Sequence, residues 1–429
     1  MKDTKIMGLS IPVYLALLVV VVVGIILDVL PGGMIGAFAF MMVVGALLNL
    51  IGNKTPIINT FFGGGPIVII FGSAALVYFG ILPESVTENV NTFMKGGGFL
   101  DFYIAALITG SILGMSKKLL MKAAIRYFPT ILGAVAVALA LVGVGGLIFG
   151  YTFFESMAYI GIPIVGGGMG AGAVPISEVF ASAMNVPAEE ILSRLVPAVA
   201  LGNAMAIVAA GLLDKLGKSR PSLSGNGKLM EIGEDTDLHA KDEVFTPSLT
   251  DFGKGIAIAV VFFVFGRIVG WGFETAFGLD IHSYAWMIIS VAVAKAMNLL
   301  PRELEQACAS WYNFVAKNWT SALLMGIGIA YTNLGQVIDA LSLQFIVLVA
   351  LVIIGVIIGS MVVGKMVGFY PIEAAITAGL CMANMGGTGD VAVLTAANRM
   401  ELMPFAQISS RLGGAFIILL ATLLVQMFF

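Results

Sequence analysis

Few residues of this sequence could do chemistry, and those few cluster. Two glycine tetrads, GGMG at Gly167 to Gly170 and GGTG at Gly386 to Gly389, interrupt apolar stretches. Each stretch carries a carboxylate, Glu155 or Glu373, and Asp390 follows the second tetrad directly. Downstream of each lies an arginine, Arg194 in EEILSRL and Arg411 in AQISSRL. Glycine allows left-handed turns and close approach of backbone to a ligand. Amide groups at helix starts favour anions, and carbonyls at helix ends favour cations. A guanidinium adds a planar fork that matches a carboxylate. This is chemistry for binding a small anion beside a cation. Bond-making chemistry finds no support: no HExxH or GxSxG occurs, and of the two histidines only His282 stands near a long apolar run, while His239 lies in a polar stretch.

The elements that must carry these residues follow from composition. Of 429 residues, 59% are hydrophobic and only 11% charged, against about 25% charged in soluble domains, and mean hydropathy is +1.03. The chain reads as an all-α polytopic membrane protein. Runs able to cross about 30 Å of hydrocarbon fall near 11–30, 34–51, 66–82, 99–115, 129–150, 195–213, 253–277, 283–300, 319–334, 343–364 and 409–429, eleven in all. The first follows MKDTKIMGLS with no small-residue cleavage site and reads as a span, not a removed signal. Lys2, Lys5, Lys54, Lys117, Lys118, Lys122, Arg126, Lys215, Lys218, Arg220, Arg302, Lys317 and Lys365 all fall on one side if the N-terminus is inside. Leu82 to Gly98 is then an outer loop. Net charge of −3 says little about partners in a bilayer, nucleic acid is not suggested, and Cys308 and Cys381 read as buried thiols.

The sequence also repeats. GYTFFESMAYIGIPIVGGGMGAG from Gly150 aligns with GFYPIEAAITAGLCMANMGGTGD from Gly368, matching the carboxylates and tetrads with one residue of slippage, and both are followed by an arginine-bearing apolar span. Five spans plus one broken segment per half invert the second half relative to the first. The reading is therefore an extra N-terminal helix at 1–30, a first inverted repeat at 31–213 with a hairpin at 155–185, a cytoplasmic linker at 214–250, and a second repeat at 251–429 with a hairpin at 370–397. Gly-rich hairpins that re-enter the bilayer must line a polar cavity buried in protein, and matched broken segments in inverted repeats point to a secondary transporter with its site where the two meet. Arg411 is the candidate for gripping a carboxylate. Arg194 could snorkel or pair structurally, Arg267 and Lys295 read as interfacial, and Glu155, Glu373 and Asp390 could each bind a cation or proton or cap a hairpin helix.

YPIEAAITAGLCMANMGGTGDVAVLTAANRMELMPFAQISSRLGGA, Tyr370 to Ala415, closely resembles the second hairpin and last helix of the 2-hydroxycarboxylate transporter family, and PIVGGGMGAGAVPISEVFASAMNV, Pro163 to Val186, resembles its first. The resemblance spans essentially the whole chain. It implies a homodimeric transporter of the bacterial inner membrane, with a static dimerisation domain and a mobile domain moving like an elevator. It carries malate, citrate or a related 2-hydroxycarboxylate, driven by Na+ or H+ or working by precursor/product exchange, with no cofactor beyond the coupling ion. The family's last-span arginine maps onto Arg411, and substrate contacts map onto Gly170, Gly387 and Thr388. A Na+ site maps onto Ile164, Gly167, Met382, Asn384 and Ser410. Sodium–citrate members have asparagine where this chain has Met169 and a second arginine where it has Met385. A charge-assisted hydrogen bond is worth about 1.5–3 kcal/mol, so loss of that arginine favours a dianion such as malate over citrate. Loss of the asparagine weakens the case for Na+, though hairpin carbonyls can still coordinate a hard cation.

Overall fold

A computed structural model of the chain describes residues 5–61, 64–114, 117–230, 245–277 and 283–428. His239, His282 and Lys2 lie outside the described residues. Apart from a two-stranded turn at Lys5–Ile6 and Leu9–Ser10 and a single bridge between Met230 and Phe369, the described chain is helical.

Helices occupy all eleven apolar runs, but they differ in reach. Among the described residues, six are long and apolar enough to cross a membrane: Met34–Lys54, Arg126–Ile148, Ala188–Ser219, Leu249–Ala276, Leu343–Met366 and Ser409–Gln426. A seventh crossing results if Glu84–Met94 and Phe99–Leu113, bent by 42° at their junction, act as one span. Ile11–Ile26, Gly65–Tyr78, Ser283–Ala296 and Thr320–Ala330 are shorter apolar helices. The stretch expected as an outer loop is mostly the helix Glu84–Met94, which buries Val86, Val90, Phe93 and Met94. That spacing of three and four residues is a helical signal that its charged residues obscured. Arg302–Asn318 behaves likewise, burying Ala307, Cys308, Trp311 and Val315 on one face.

Packing sorts these helices into two groups. Group I contains Met34–Lys54, Gly65–Tyr78, Glu84–Met94, Phe99–Leu113, Leu249–Phe277, Ser283–Ala296, Arg302–Asn318 and Thr320–Ala330. Group II contains Lys117–Ile148, Ala188–Ser219, Leu343–Met366, the helical run 403–428 and both glycine-broken segments. Contacts within each group are dense, whereas those between the groups are sparse. Each half of the chain first supplies group I and then group II, in the same element order.

Group II is built around its closest pair, Lys117–Ile148 against Leu343–Met366. Gly133, Gly355 and Gly359 make this approach possible. A Cβ on Gly359 would strike the Gly133 carbonyl, and one on Gly355 would strike the Ala138 backbone. Lipid tails are as apolar as leucine, so small residues that let backbones touch are what hold such helices together. Gly359→Leu should therefore destabilise the protein by about 3 kcal/mol or more, at the upper end for overpacking. Size-exclusion profiles in detergent should show loss of the monodisperse peak, and an unchanged profile would argue that the pair can yield.

Candidate functional site

The first broken segment comprises Phe153–Ile164, a glycine turn, and Met169–Met184. Its two arms lie side by side: the Tyr159 hydroxyl reaches Met184 Sδ at 3.7 Å, and its ring faces that of Phe180. The second comprises Pro371–Leu380, a turn, and Gly387–Ala396. Its arms also fold back, since Arg399, just beyond the second arm, donates from Nε to Glu373 Oε1 near the start of the first at 3.2 Å. Gly167, Gly168 and Gly386 hold φ of +82°, +113° and +83°, a region that other residues enter only with strain. The tips meet backbone to backbone. A Cβ on Gly168 would sit 2.8 Å from Gly386 N, and one on Gly167 would strike the Ser410 carbonyl.

Where the tips meet, a cavity of about 470 Å³ opens between groups I and II. From group II it is lined by Gly167, Met169, Gly170, Met385, Gly386, Asp390, Ser410 and Arg411. Group I contributes Asn49, Asn53, Tyr103, Tyr312, Lys317 and Thr320 among others. Arg411 lies on a wide π turn, Ser409–Gly413, within the last helix, a local widening often found at functional sites. Among the described residues its guanidinium has no carboxylate in ion-pair contact, and its Cζ sits 5.0 Å from the centre of the Tyr312 ring. A cation within an apolar helix is expensive unless something uses it.

Beside it lies a buried polar triad. Asp390 accepts from Asn384 Nδ2 at 3.0 Å and from Ser410 Oγ at 2.9 Å, and Asn384 Oδ1 in turn accepts from Gly386 N at 2.8 Å. Behind it, Asn203 Oδ1 accepts from Met385 N at 3.0 Å, while its Nδ2 finds no partner among the described residues. These oxygens are the donor type that a hard cation takes.

Of the expected substrate residues, Arg411, Gly170, Met169 and Met385 line the cavity. Gly387 and Thr388 begin the helix after Gly386, and the Thr388 side chain lies outside the described residues. Of the expected cation residues, Gly167, Asn384 and Ser410 come together at the tips. Ile164 and Met382 are fully buried, packed against Gly202 and Gly413 respectively. Asp390, which the sequence assigns equally to capping or binding, lies beside the expected cation set. Sequence reasoning passed over Asn203, Tyr312 and Arg399. An asparagine in an apolar helix and an arginine three residues past a broken segment are both costly in a membrane and could have been flagged. Tyr312 left no such signal.

The other charges have structural employment. Glu155 closes a capping box with Thr152, accepting from Thr152 N at 2.8 Å while its own N–H donates to Thr152 Oγ1. Arg194 pairs with Glu190 at 2.9 Å and lies over the Tyr159 ring. Lys295, expected at an interface, is instead buried, donating to the Leu113 carbonyl and to Glu305, each at 2.7 Å. Asp214, expected to open a solvated linker, is a buried residue of Ala188–Ser219. Both cysteines are buried.

Comparison with known proteins bears directly on this arrangement. The model of the 2-hydroxycarboxylate transporter family matches residues 6–423. The chain belongs to that family. It is 38% identical over 421 residues to the citrate transporter CitP of Leuconostoc mesenteroides subsp. mesenteroides, covering 98% of this chain and 94% of that one. It is 37% identical over 426 residues to the citrate/sodium symporter of Salmonella typhimurium, covering 99% and 95%. It is 38% identical over 424 residues to the Na(+)-malate symporter of Bacillus subtilis, covering 98% and 92%. This 2-hydroxycarboxylate transporter family member is accordingly a carboxylate transporter of the multi-pass membrane class, and not an enzyme.

Proposed function

We propose that the protein takes up a 2-hydroxycarboxylate, malate by preference and citrate to a lesser degree, together with Na+, across the bacterial cytoplasmic membrane. The observation that carries this reading is the guanidinium of Arg411, with no carboxylate in salt-bridge contact among the described residues, in a cavity at the junction of two glycine tips. One carboxylate binds its N–H fork, and the hydroxyl and second carboxylate face the tip backbone at Gly170 and Gly387. Na+ takes the oxygen-rich region around Asn384, Ser410 and the Gly167 backbone, with Asp390 supplying the negative charge. With Met385 in place of an arginine, the tips themselves offer a third carboxylate no cation, leaving only Lys317 from group I, which favours a dianion.

Transport follows if the two broken segments are re-entrant hairpins of inverted repeats and group II moves as a body against group I. The repeated element order and the sparse contacts between the groups support that elevator-type movement. The homodimer implied by the family resemblance, with group I as its static part, belongs to the same reading. Uptake of labelled malate into empty proteoliposomes tests it: an inward Na+ gradient should drive accumulation, an imposed proton gradient should not, and citrate should compete weakly. Accumulation driven only by protons would reassign the coupling ion. Transport that needs internal counter-substrate would make the protein a precursor/product exchanger.

A further inference from the structure

Arg411 belongs to group II, but the ring it rests on belongs to group I. Tyr312 stands on Arg302–Asn318, which packs against Phe99–Leu113 at a glycine notch. A Cβ on Gly110 would strike Tyr312 Cβ and lie 2.5 Å from the Cys308 carbonyl. Its base is thus fixed to group I, and its ring reaches across the cavity to Arg411, 5.0 Å from Cζ to ring centre. A cation–π contact engages the guanidinium without using up its five N–H donors. These are the groups a carboxylate needs for a bidentate grip. The contact therefore orients the arginine without competing for its ligand.

The same geometry makes the contact specific to one arrangement of the two groups. The cavity includes Asn53 and Lys317, at the end of the molecule that carries Lys54. At the opposite end, the groups are joined by the Lys95–Glu189 ion pair and by Ser193 Oγ, which accepts from Asn333 N at 2.7 Å and donates to the Tyr331 carbonyl at 3.3 Å. A displacement of group II that carried the site toward this second end would carry Arg411 away from Tyr312.

We infer that Tyr312 is a positioning residue for Arg411 that acts only while the site faces the Lys54 and Lys317 side, giving substrate a higher affinity there than it has on the opposite side. The inference rests on the carboxylate-binding role proposed for Arg411. It is tested in oriented membrane vesicles, right-side-out and inside-out, with labelled malate offered to each face. Tyr312→Leu should raise the KM on the Lys317 face by about three- to tenfold, a modest cation–π contribution, and leave the KM on the other face unchanged. Tyr312→Phe keeps the ring and should restore wild-type values on both faces. An equal KM increase on both faces, or a Phe variant as impaired as the Leu variant, would overturn the inference. Arg411→Lys in the same vesicles separates the two readings: it should weaken both faces, and if it weakens neither the proposed carboxylate site fails first.

Discussion

Arg411→Ala should abolish saturable carboxylate uptake in proteoliposomes while leaving the protein folded in detergent. A bidentate grip supplies two charge-assisted hydrogen bonds, each worth about 1.5–3 kcal/mol. Losing both costs about 3–6 kcal/mol, or at least a hundredfold in affinity. Among the described residues, the guanidinium makes no ion pair, so its removal strands no buried carboxylate in salt-bridge contact. Arg411→Lys keeps the charge but loses the fork and should recover only a small part of the uptake. Malate affinity unchanged in the alanine variant would sink the binding role.

A second large effect is expected far from the cavity, at Arg399. Its Nε donates to Glu373 at 3.2 Å and its Nη1 to Asp214 at 3.3 Å, with Nη2 3.3 Å from Ser224 Oγ. Glu373 is fully buried and also accepts from Ser224 Oγ, Gly225 N and Gly227 N. Ser224, Gly225 and Gly227 belong to the loop after Ala188–Ser219, so one buried cluster ties that loop, the end of the helix and both arms of the second broken segment together. A buried ion pair adds little against an apolar replacement, but breaking one side is costly because a charge is left alone. Arg399→Ala should therefore cost about 3–5 kcal/mol, lowering the detergent melting temperature by about 10 °C. Adding Glu373→Gln should recover much of that loss, and additive losses in the double variant would show that the pair is not coupled.

These two arginines mark what the sequence could and could not disclose. Arg411 stands out in the sequence because it follows a glycine tetrad and because a charge in an apolar run demands a reason. Tetrads and apolar runs are local signals, and in the structure the tetrads form turns and the runs form helices of differing length. The role of Asp390 was not legible, since capping and ion binding call for the same residue type at the same spacing. The approach of Ser410, 20 residues away, to Asp390 is likewise absent from any local pattern. Lys295 and Asp214 were misjudged for a related reason. Each has a near partner, Glu305 or Lys218, but also a distant one, Leu113 or Arg399, 182 and 185 residues away. Periodicity records which face of a helix is apolar, but it does not record which other helix that face will meet.

The way group II is assembled has a consequence for how the protein is made. Its central helix pair joins Lys117–Ile148 to Leu343–Met366, so the two partners leave the ribosome some 200 residues apart. At about 5–20 residues per second, the first partner waits on the order of 10–40 s in the bilayer with its glycine notches facing lipid. Throughout that interval the first half of the chain has a broken segment, but no second one to close against it. Biogenesis is therefore the period in which this protein depends most on insertase or chaperone cover, and slowed synthesis between residues 148 and 343 should cost more yield than the same delay anywhere else.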